Sequence, residues 1–154
     1  MRNGTNLKIL IDADGCPVVD STVTLAKRYD INCKIICDAS RQFNLEGPEE
    51  VITVSNGVDS VDFVLVNMLS RGDIVITQDY GLAAMCLARG AVALSQDGIL
   101  YEENMDAMSM QRHASRKLRA SGVRIKGNKK RTPEQNKAFI KKLEEKIRDF
   151  ESGD

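Results

Sequence analysis

Leu7-Lys8-Ile9-Leu10-Ile11-Asp12-Ala13-Asp14 is a short apolar run that closes on two carboxylates. Apolar residues on consecutive positions, rather than on alternate ones, predict a strand buried on both faces, as in a parallel sheet. The same grammar recurs in Cys33-Lys-Ile-Ile-Cys-Asp38 and in Ile74-Val-Ile-Thr-Gln-Asp79. Val51 to Ser55 and Ala91 to Leu94 add two further strands, and Ile99 to Tyr101 a short extended piece. Ile74 to Thr77, apolar on both faces, is placed centrally.

Helical patterns separate these runs. Pro17, at a first helical position, predicts a helix to about Tyr29. From about Asp59 to Ser70, Val61, Val64, Leu65, Met68 and Leu69 follow the i, i+3, i+4, i+7, i+8 spacing of one buried face. Tyr80 to Arg89 is a short helix stopped by Gly90. Gln42 to Glu50 reads as a loop, with Gly47-Pro48 as its turn signal. Asn104 to Ala120 reads as a helix, and Val123 to Arg131 as a basic loop. Thr132-Pro133-Glu134-Gln135 combines a capping box with proline at the first helical position. Phe139, Leu143, Ile147 and Phe150 mark the buried face of the helix it starts. Strands alternating with helices predict an α/β fold: a mainly parallel central sheet flanked by helices, with a C-terminal helical extension. The 154 residues carry no internal repeat and no low-complexity linker, so one domain is expected over 1–154. A basic arm lies at about 112–131 and the terminal helix at about 133–151.

Hydrophobic residues make up 42% of the chain, enough for a globular core. No apolar stretch approaches the roughly 20 residues that span a bilayer. The N-terminal Met1-Arg-Asn-Gly-Thr-Asn6 lacks a signal-peptide core, so a soluble, cytoplasmic protein of bacterial style is expected. Cys33, Cys37 and Cys86 sit in apolar runs and read as small buried hydrophobes. With no Cys-x-x-Cys pair and His113 as the single histidine, structural zinc and a disulfide framework are disfavoured.

The aspartates carry the chemistry. Strand carboxyl ends and the first turns of the following helices share one edge of a parallel sheet, the edge where ligands bind. That topology brings Asp12, Asp14, Asp62 and Asp79 toward one another, and Asp59 shares a helix face with Asp62. Gathered carboxylates repel unless a cation joins them. Oxygen ligands suit Mg²⁺ or Mn²⁺, with one or two direct carboxylates and the rest holding metal-bound waters. Such an ion can activate water for phosphodiester displacement. The bland alternative is helix capping, open to Asp14, Asp59 and Asp79 individually. Asp73, at the start of a strand, reads as structural, and Asp38 as a turn residue. Cys16 reads as a packing residue, having no nearby histidine to activate it.

Net charge is zero, yet Arg112, Arg116, Lys117, Arg119, Arg124, Lys126, Lys129, Lys130 and Arg131 form a run of nine cations without an acid. Arg112, Arg116 and Arg119 share a helical face, and Lys126, Lys129, Lys130 and Arg131 form a cationic loop. With few aromatics to stack bases, such a segment suits the phosphate backbone of RNA or single-stranded nucleic acid. The alternative is a solvated basic face.

Asp12-Ala-Asp-Gly-Cys-Pro17, Asp59-Ser-Val-Asp62, Gly72-Asp-Ile-Val-Ile-Thr-Gln-Asp79 with Gly81-Leu-Ala-Ala84, Arg112-His113 and Lys126-Gly-Asn-Lys-Lys-Arg-Thr132 together resemble the YaiI/YqxD family of uncharacterised bacterial proteins. That family in turn looks similar to the PIN-like nucleases. The resemblance implies a three-layer PIN-like sandwich and an acid cluster for Mg²⁺ or Mn²⁺. It matches Asp12, Asp62 and Asp79 to the superfamily's acids and leaves Asp14 and Asp59 as additions. An acid on an intermediate helix, common in PIN nucleases, has no counterpart here. Gly15 and Asn128 depart from the family pattern without touching the carboxylates. The leading expectation is a metal-dependent nuclease, with Asp12, Asp14, Asp62 and Asp79 catalytic and Asp59 assisting at the metal. The alternatives are a non-catalytic PIN-like nucleic-acid-binding module and, from Asp12-Ala-Asp14-Gly, a haloacid-dehalogenase-like phosphatase. In the phosphatase reading Gly72-Asp73 with Asp79 imitates the second acidic motif, although a strand would separate the two acids.

Overall fold

The computed structural model describes residues 7–38, 50–54, 60–102 and 131–152. The chain runs β1 (Lys8–Asp12), α1 (Val19–Arg28), β2 (Asn32–Asp38), β3 (Glu50–Val54), α2 (Ser60–Met68), β4 (Ile74–Ile76), α3 (Tyr80–Ala88), β5 (Val92–Leu94) and α4 (Pro133–Ser152). The five strands form one sheet in the order β3-β2-β1-β4-β5, and every pairing is parallel. The parallel sheet flanked by helices and the C-terminal helix stand as expected. The centre of the sheet is β1, with β4 beside it as an interior strand buried at all its positions.

Alternation along the strands sorts the core into layers. Ile9, Ile11, Ile35, Ile74 and Ile76 face one side, where they meet Val19 and Val23 of α1 and Phe139, Leu143 and Ile147 of α4. Leu10, Ile36 and Val75 face the other, against Leu65 and Val66 of α2 and Leu82 and Cys86 of α3. Val61, Val64, Met68 and Leu69 of the anticipated stripe pack against this second cluster only partly buried, and Val66, outside that stripe, is more fully covered. Cys33, Cys37 and Cys86 are buried, as their apolar surroundings predict.

Several element ends are set by local chemistry. Helix α1 begins at Val19 rather than at Pro17, because residues 14–18 are taken up by turns. One of these closes with the Cys16 N–H donating to the Ala13 carbonyl across Gly15, whose φ is +74°. At the other end Asp30 takes a left-handed φ of 58°, and the buried Ile31 donates its N–H back to the Ala26 carbonyl. The capping box of α4 is formed in both directions. The Gln135 N–H donates to Thr132 Oγ1 at 3.2 Å, and the Thr132 N–H to Gln135 Oε1 at 2.8 Å. The anticipated 42–50 loop, save Glu50, and the 104–120 helix lie outside the described residues.

Asp73 holds the end of the sheet opposite the carboxyl edge. It is 1% exposed and meets Lys8 Nζ at 2.7 Å, while accepting the backbone N–H groups of Lys8 at 3.2 Å and Ser70 at 2.8 Å. Removing one partner of a buried pair leaves the other charge and its donors uncompensated. Asp73→Ala is therefore expected to lower unfolding stability by about 3 kcal/mol or more. Urea titration checks this, and a loss below about 0.5 kcal/mol, the ordinary range for a surface change, contradicts it.

Candidate functional site at the strand carboxyl edge

Strand order reverses between β1 and β4, since the chain leaves β1 toward β2 and β3 and later returns to β4 and β5. In open parallel sheets the crevice above such a switch point is the ligand site. Here the crevice is a small open cleft with a cavity volume of about 30 Å³, lined by Asp12, Asp14, Cys16, Ile76, Thr77, Gln78 and Gln96. That lies far below the roughly 300 Å³ at which pockets begin to enclose small organic molecules. Its scale suits an ion or a group presented from outside.

Asp12 ends β1 on the side of Leu10, toward α2 and α3. Its Oδ2 accepts the hydroxyl of Thr77 at 2.7 Å, and the same hydroxyl oxygen accepts the Asp79 N–H at 3.0 Å. Thr77 is itself buried, its carbonyl accepting the Tyr101 hydroxyl at 3.1 Å. Burial pushes the Asp12 carboxyl up from 3.8 to about 6; the Thr77 hydrogen bond opposes the rise, and the charges of Asp62, Asp14 and Asp79 add to it. The acids predicted from sequence are thus electrically coupled around Asp12. Asp62 comes from the first turn of α2, Asp79 from the start of α3, and Asp14 from the turn after β1.

Their roles in the fold differ. Asp79 is the N-cap of α3, its Oδ1 accepting the N–H groups of Gly81 at 2.8 Å and Leu82 at 3.2 Å. Asp14 does not cap α1; its Oδ1 accepts the Asp38 N–H at 3.3 Å. That contact ties Asp38 to the rim as a backbone donor. Asp73 and Asp79 lie at opposite ends of β4, so they cannot form the paired second motif of a phosphatase. Cys16 packs against the core cluster of α1 and α4, and burial raises its thiol pKa, which opposes a nucleophilic thiolate.

The cation arm is represented by Arg131 alone. Its guanidinium is engaged within the fold, by Asp97 Oδ1 at 3.0 Å, by Asn136 Oδ1 at 2.5 Å and by the Gln96 carbonyl. Arg131 thereby anchors the start of α4 to the turn after β5, which makes it a scaffold residue in this structure rather than a free phosphate ligand. Asp59, Arg112, Arg116, Arg119, Lys126, Lys129 and Lys130 lie outside the described residues. Thr77, Gln78 and Gln96 were missed from sequence. None of the three carries a distinguishing signal in the sequence, since each is a polar residue just beyond a strand end.

For a divalent cation the donor set is all oxygen, as Mg²⁺ and Mn²⁺ require. Asp12 Oδ2 and Asp79 Oδ1 are bound within the fold, while Asp12 Oδ1 and Asp79 Oδ2 accept no hydrogen bond among the described residues. Among those residues no three acidic, cysteine or histidine side chains converge as an ion-enclosing group. A divalent ion at this edge would have to be held by one or two carboxylates, with water completing its shell.

The raised Asp12 carboxyl fixes the sign of a pH effect. Below the ordinary 3.8 the group is protonated in folded and unfolded chains alike, and costs nothing. Between 3.8 and about 6 the unfolded chain releases its proton first, so stability falls as pH rises; above 6 the loss is complete. Asp12→Asn removes this cost. Without added divalent metal it is expected to match the parent protein at about pH 4 and to exceed it by about 1–2 kcal/mol at about pH 7.5. Urea midpoints at the two pH values check this, and a less stable variant at the higher pH contradicts it.

Comparison with known proteins places the chain. The family model described as "Uncharacterized BCR, YaiI/YqxD family" matches residues 10–149. A "UPF0178 protein" of Exiguobacterium sibiricum is 47% identical over 134 residues, covering 86% of this chain and 91% of the relative. Another from Ruminiclostridium cellulolyticum is 46% identical over 138 residues, 89% of this chain and 90% of the relative. One from Natranaerobius thermophilus is 39% identical over 142 residues, 92% and 96% of the two chains. No solved structure matches. No helix among the described residues is long and apolar enough to cross a membrane. Matched over nearly its whole length by model and relatives alike, the chain belongs to the YaiI/YqxD family.

Proposed function

We propose that this protein is a Mg²⁺- or Mn²⁺-dependent hydrolase of phosphodiester bonds in RNA or single-stranded nucleic acid. The observation that carries the reading is Asp12. A half-buried carboxylate at the switch point, flanked by the charges of Asp14, Asp62 and Asp79, is a site whose repulsion a bound cation relieves. Asp12 and Asp79 would hold the ion, with Asp14, Asp59 and Asp62 binding its waters. When bound, such an ion supplies an activated water and charge stabilisation for phosphodiester displacement.

The chain's own residues do the rest. Thr77 fixes the Asp12 rotamer by donating to one oxygen and leaves the other to the ligand. The cap contacts of Asp79 fix its carboxylate at the start of α3 in the same way. The eight cations from Arg112 to Lys130 supply the phosphate affinity, and Arg131 secures the end of that segment beside the cleft. The likeness to PIN-like nucleases supports the same chemistry.

A second reading has its own support. The absence of an ion-enclosing trio among the described residues, with Asp79 serving as a cap, suits a PIN-like module that binds nucleic acid without cutting it.

One experiment separates the two. Purified protein is incubated with a panel of labelled RNA and single-stranded DNA in Mn²⁺, beside Asp12→Asn and Asp79→Asn. Asparagine is also a good N-cap, so the second variant keeps α3. Hydrolysis is expected from the parent protein and to drop by about two orders of magnitude or more in each variant. No cleavage above the variants, with salt-sensitive binding retained by all three, would replace the hydrolase with the binding module.

A further inference from the structure

The described aromatic side chains are covered by the fold, with one exception. Tyr101 and Phe139 are buried, Tyr80 meets Tyr101 edge-on, and Phe150 packs against the core. Tyr29 is tied to Glu144 and Arg148 through its hydroxyl. Phe63 is 67% exposed. A single exposed phenylalanine is common and by itself needs no explanation. Its place in the fold is what distinguishes this one.

Phe63 follows Asp62 in α2. The far end of that helix is fixed at the Asp73 end of the sheet, where the Ser70 N–H donates to Asp73 Oδ2 at 2.8 Å. A helix rises about 1.5 Å per residue, so the first turn of α2 lies about 10 Å away, toward the strand carboxyl ends. There the Asp62 charge raises the Asp12 carboxyl more than Asp14 or Asp79 does. The Cα of Phe63 is about 3.8 Å from that of Asp62, with the side chain turned roughly 100° around the helix. The exposed ring therefore borders the acid edge without competing for its ligand. One and two turns further along α2 stand Asn67 and Ser70, both exposed and polar. Along this helix the ring is isolated, which suits one flat ligand better than a protein-sized apolar interface.

The cleft itself has no room for a base. At about 30 Å³ it holds little more than a water or an ion. A nucleic acid at this edge would present a phosphate to the cleft and keep its bases outside. An apolar ring at the rim offers such a base a surface to stack on. With no hydrogen-bonding atom, a phenyl ring accepts the face of any base without selecting among them. We infer that Phe63 is a stacking platform for an unpaired nucleobase beside the phosphate held at the acid edge, which narrows the substrate to unpaired strands. Bases within a duplex are stacked on one another and offer no free face to a ring at the rim. This rests on the nucleic-acid reading of the site, and it holds whether the strand is cut or only bound.

The chain contains no tryptophan, so Phe63→Trp places a single emitter at the ring itself. The probes are a short oligothymidylate, an abasic strand with the same number of phosphates, and a duplex of equal length. Binding is measured with and without Mg²⁺ in the parent protein, Phe63→Trp, Phe63→Tyr and Phe63→Ala, with urea midpoints alongside. Phe63→Ala is expected to bind the oligothymidylate about tenfold more weakly, and Phe63→Tyr to bind it as the parent does. Neither should move the urea midpoint, because the ring is exposed. The loss should persist as salt weakens all the proteins together, since stacking releases no counterions. It should vanish on the abasic strand and on the duplex. Emission from Phe63→Trp should fall with the oligothymidylate and not with the abasic strand. Phe63→Ala binding the oligothymidylate as tightly as the parent overturns the stacking role and leaves the nucleic-acid reading standing. Emission that follows protein concentration and ignores the strand also overturns it, and assigns the ring to a second copy of the chain. A parent protein that binds none of the strands overturns both.

Discussion

The hydroxyl of Thr77 has one proton and two lone pairs, and the fold allocates them. The proton goes to Asp12 Oδ2, and the oxygen accepts the N–H of Asp79. The backbone of the same residue is equally engaged, its N–H on the Leu94 carbonyl and its own carbonyl under the Tyr101 hydroxyl. One residue thus joins the end of β1, the start of α3, the end of β5 and the segment beyond it. Burial makes the Asp12 charge costly, and the Thr77 hydroxyl offsets only part of that cost. What remains is relieved by a proton or by a cation, and at neutral pH a cation is the effective choice.

This contact exists because the strands are in register. Ile9 pairs with Ile74 and Ile11 with Ile76, while Asp73 grips Lys8 at the far end. A slip of one residue would turn every β1 side chain to the opposite face, burying Lys8 and swinging Asp12 away from α2 and α3. The Lys8–Asp73 pair therefore protects the carboxyl edge from the other end of the sheet. The same register separates Asp73 from Asp79, and this geometry sets aside phosphatase chemistry.

The strands and their ends were legible because buried parallel strands leave an unbroken apolar run, as at Ile9 to Ile11 and Ile74 to Ile76. The capping box at Thr132 was legible because both of its partners lie within one turn. The placing of Asp12, Asp14, Asp62 and Asp79 along one edge follows from topology; the charges of the other three raise the Asp12 carboxyl, yet among the described residues no three of them converge around an ion position. Contacts made across long sequence separation were not legible. Nothing in the sequence ties Thr77 to Asp12 or Gln78 to Gln96, because a polar residue after a strand looks the same whether it meets water or another loop. Arg131 illustrates the opposite error. Its neighbours in sequence are cations, so it read as part of a phosphate-binding run, yet Asp97 sits across from it only once β5 and α4 have packed. Pro17 failed more simply: a favourable first position for a helix was overridden by the turn through Gly15.

Two of the chain's potential nucleophiles are disabled by their surroundings, and this narrows what the edge can do. The Cys16 thiol is raised by burial, with the Asp12 charge adding to the rise and Arg131 opposing it. Asp12 as a covalent nucleophile, with Asp14 as its general acid, would also need the second acidic motif of a phosphatase, and its two members, Asp73 and Asp79, lie at opposite ends of β4. In the hydrolase proposed for this edge the nucleophile would be a water, which a divalent ion would activate among the carboxylates at neutral pH. The two oxygens of Asp12 and Asp79 that accept no hydrogen bond among the described residues are on side chains whose other oxygens are already held, one by a side-chain hydroxyl and one by a helix N-terminus. Side chains fixed in that way lose little further freedom on taking up an ion. The cost of ordering them was met during folding, which is the sense in which the Thr77 contact and the α3 cap belong to the site as much as the carboxylates do.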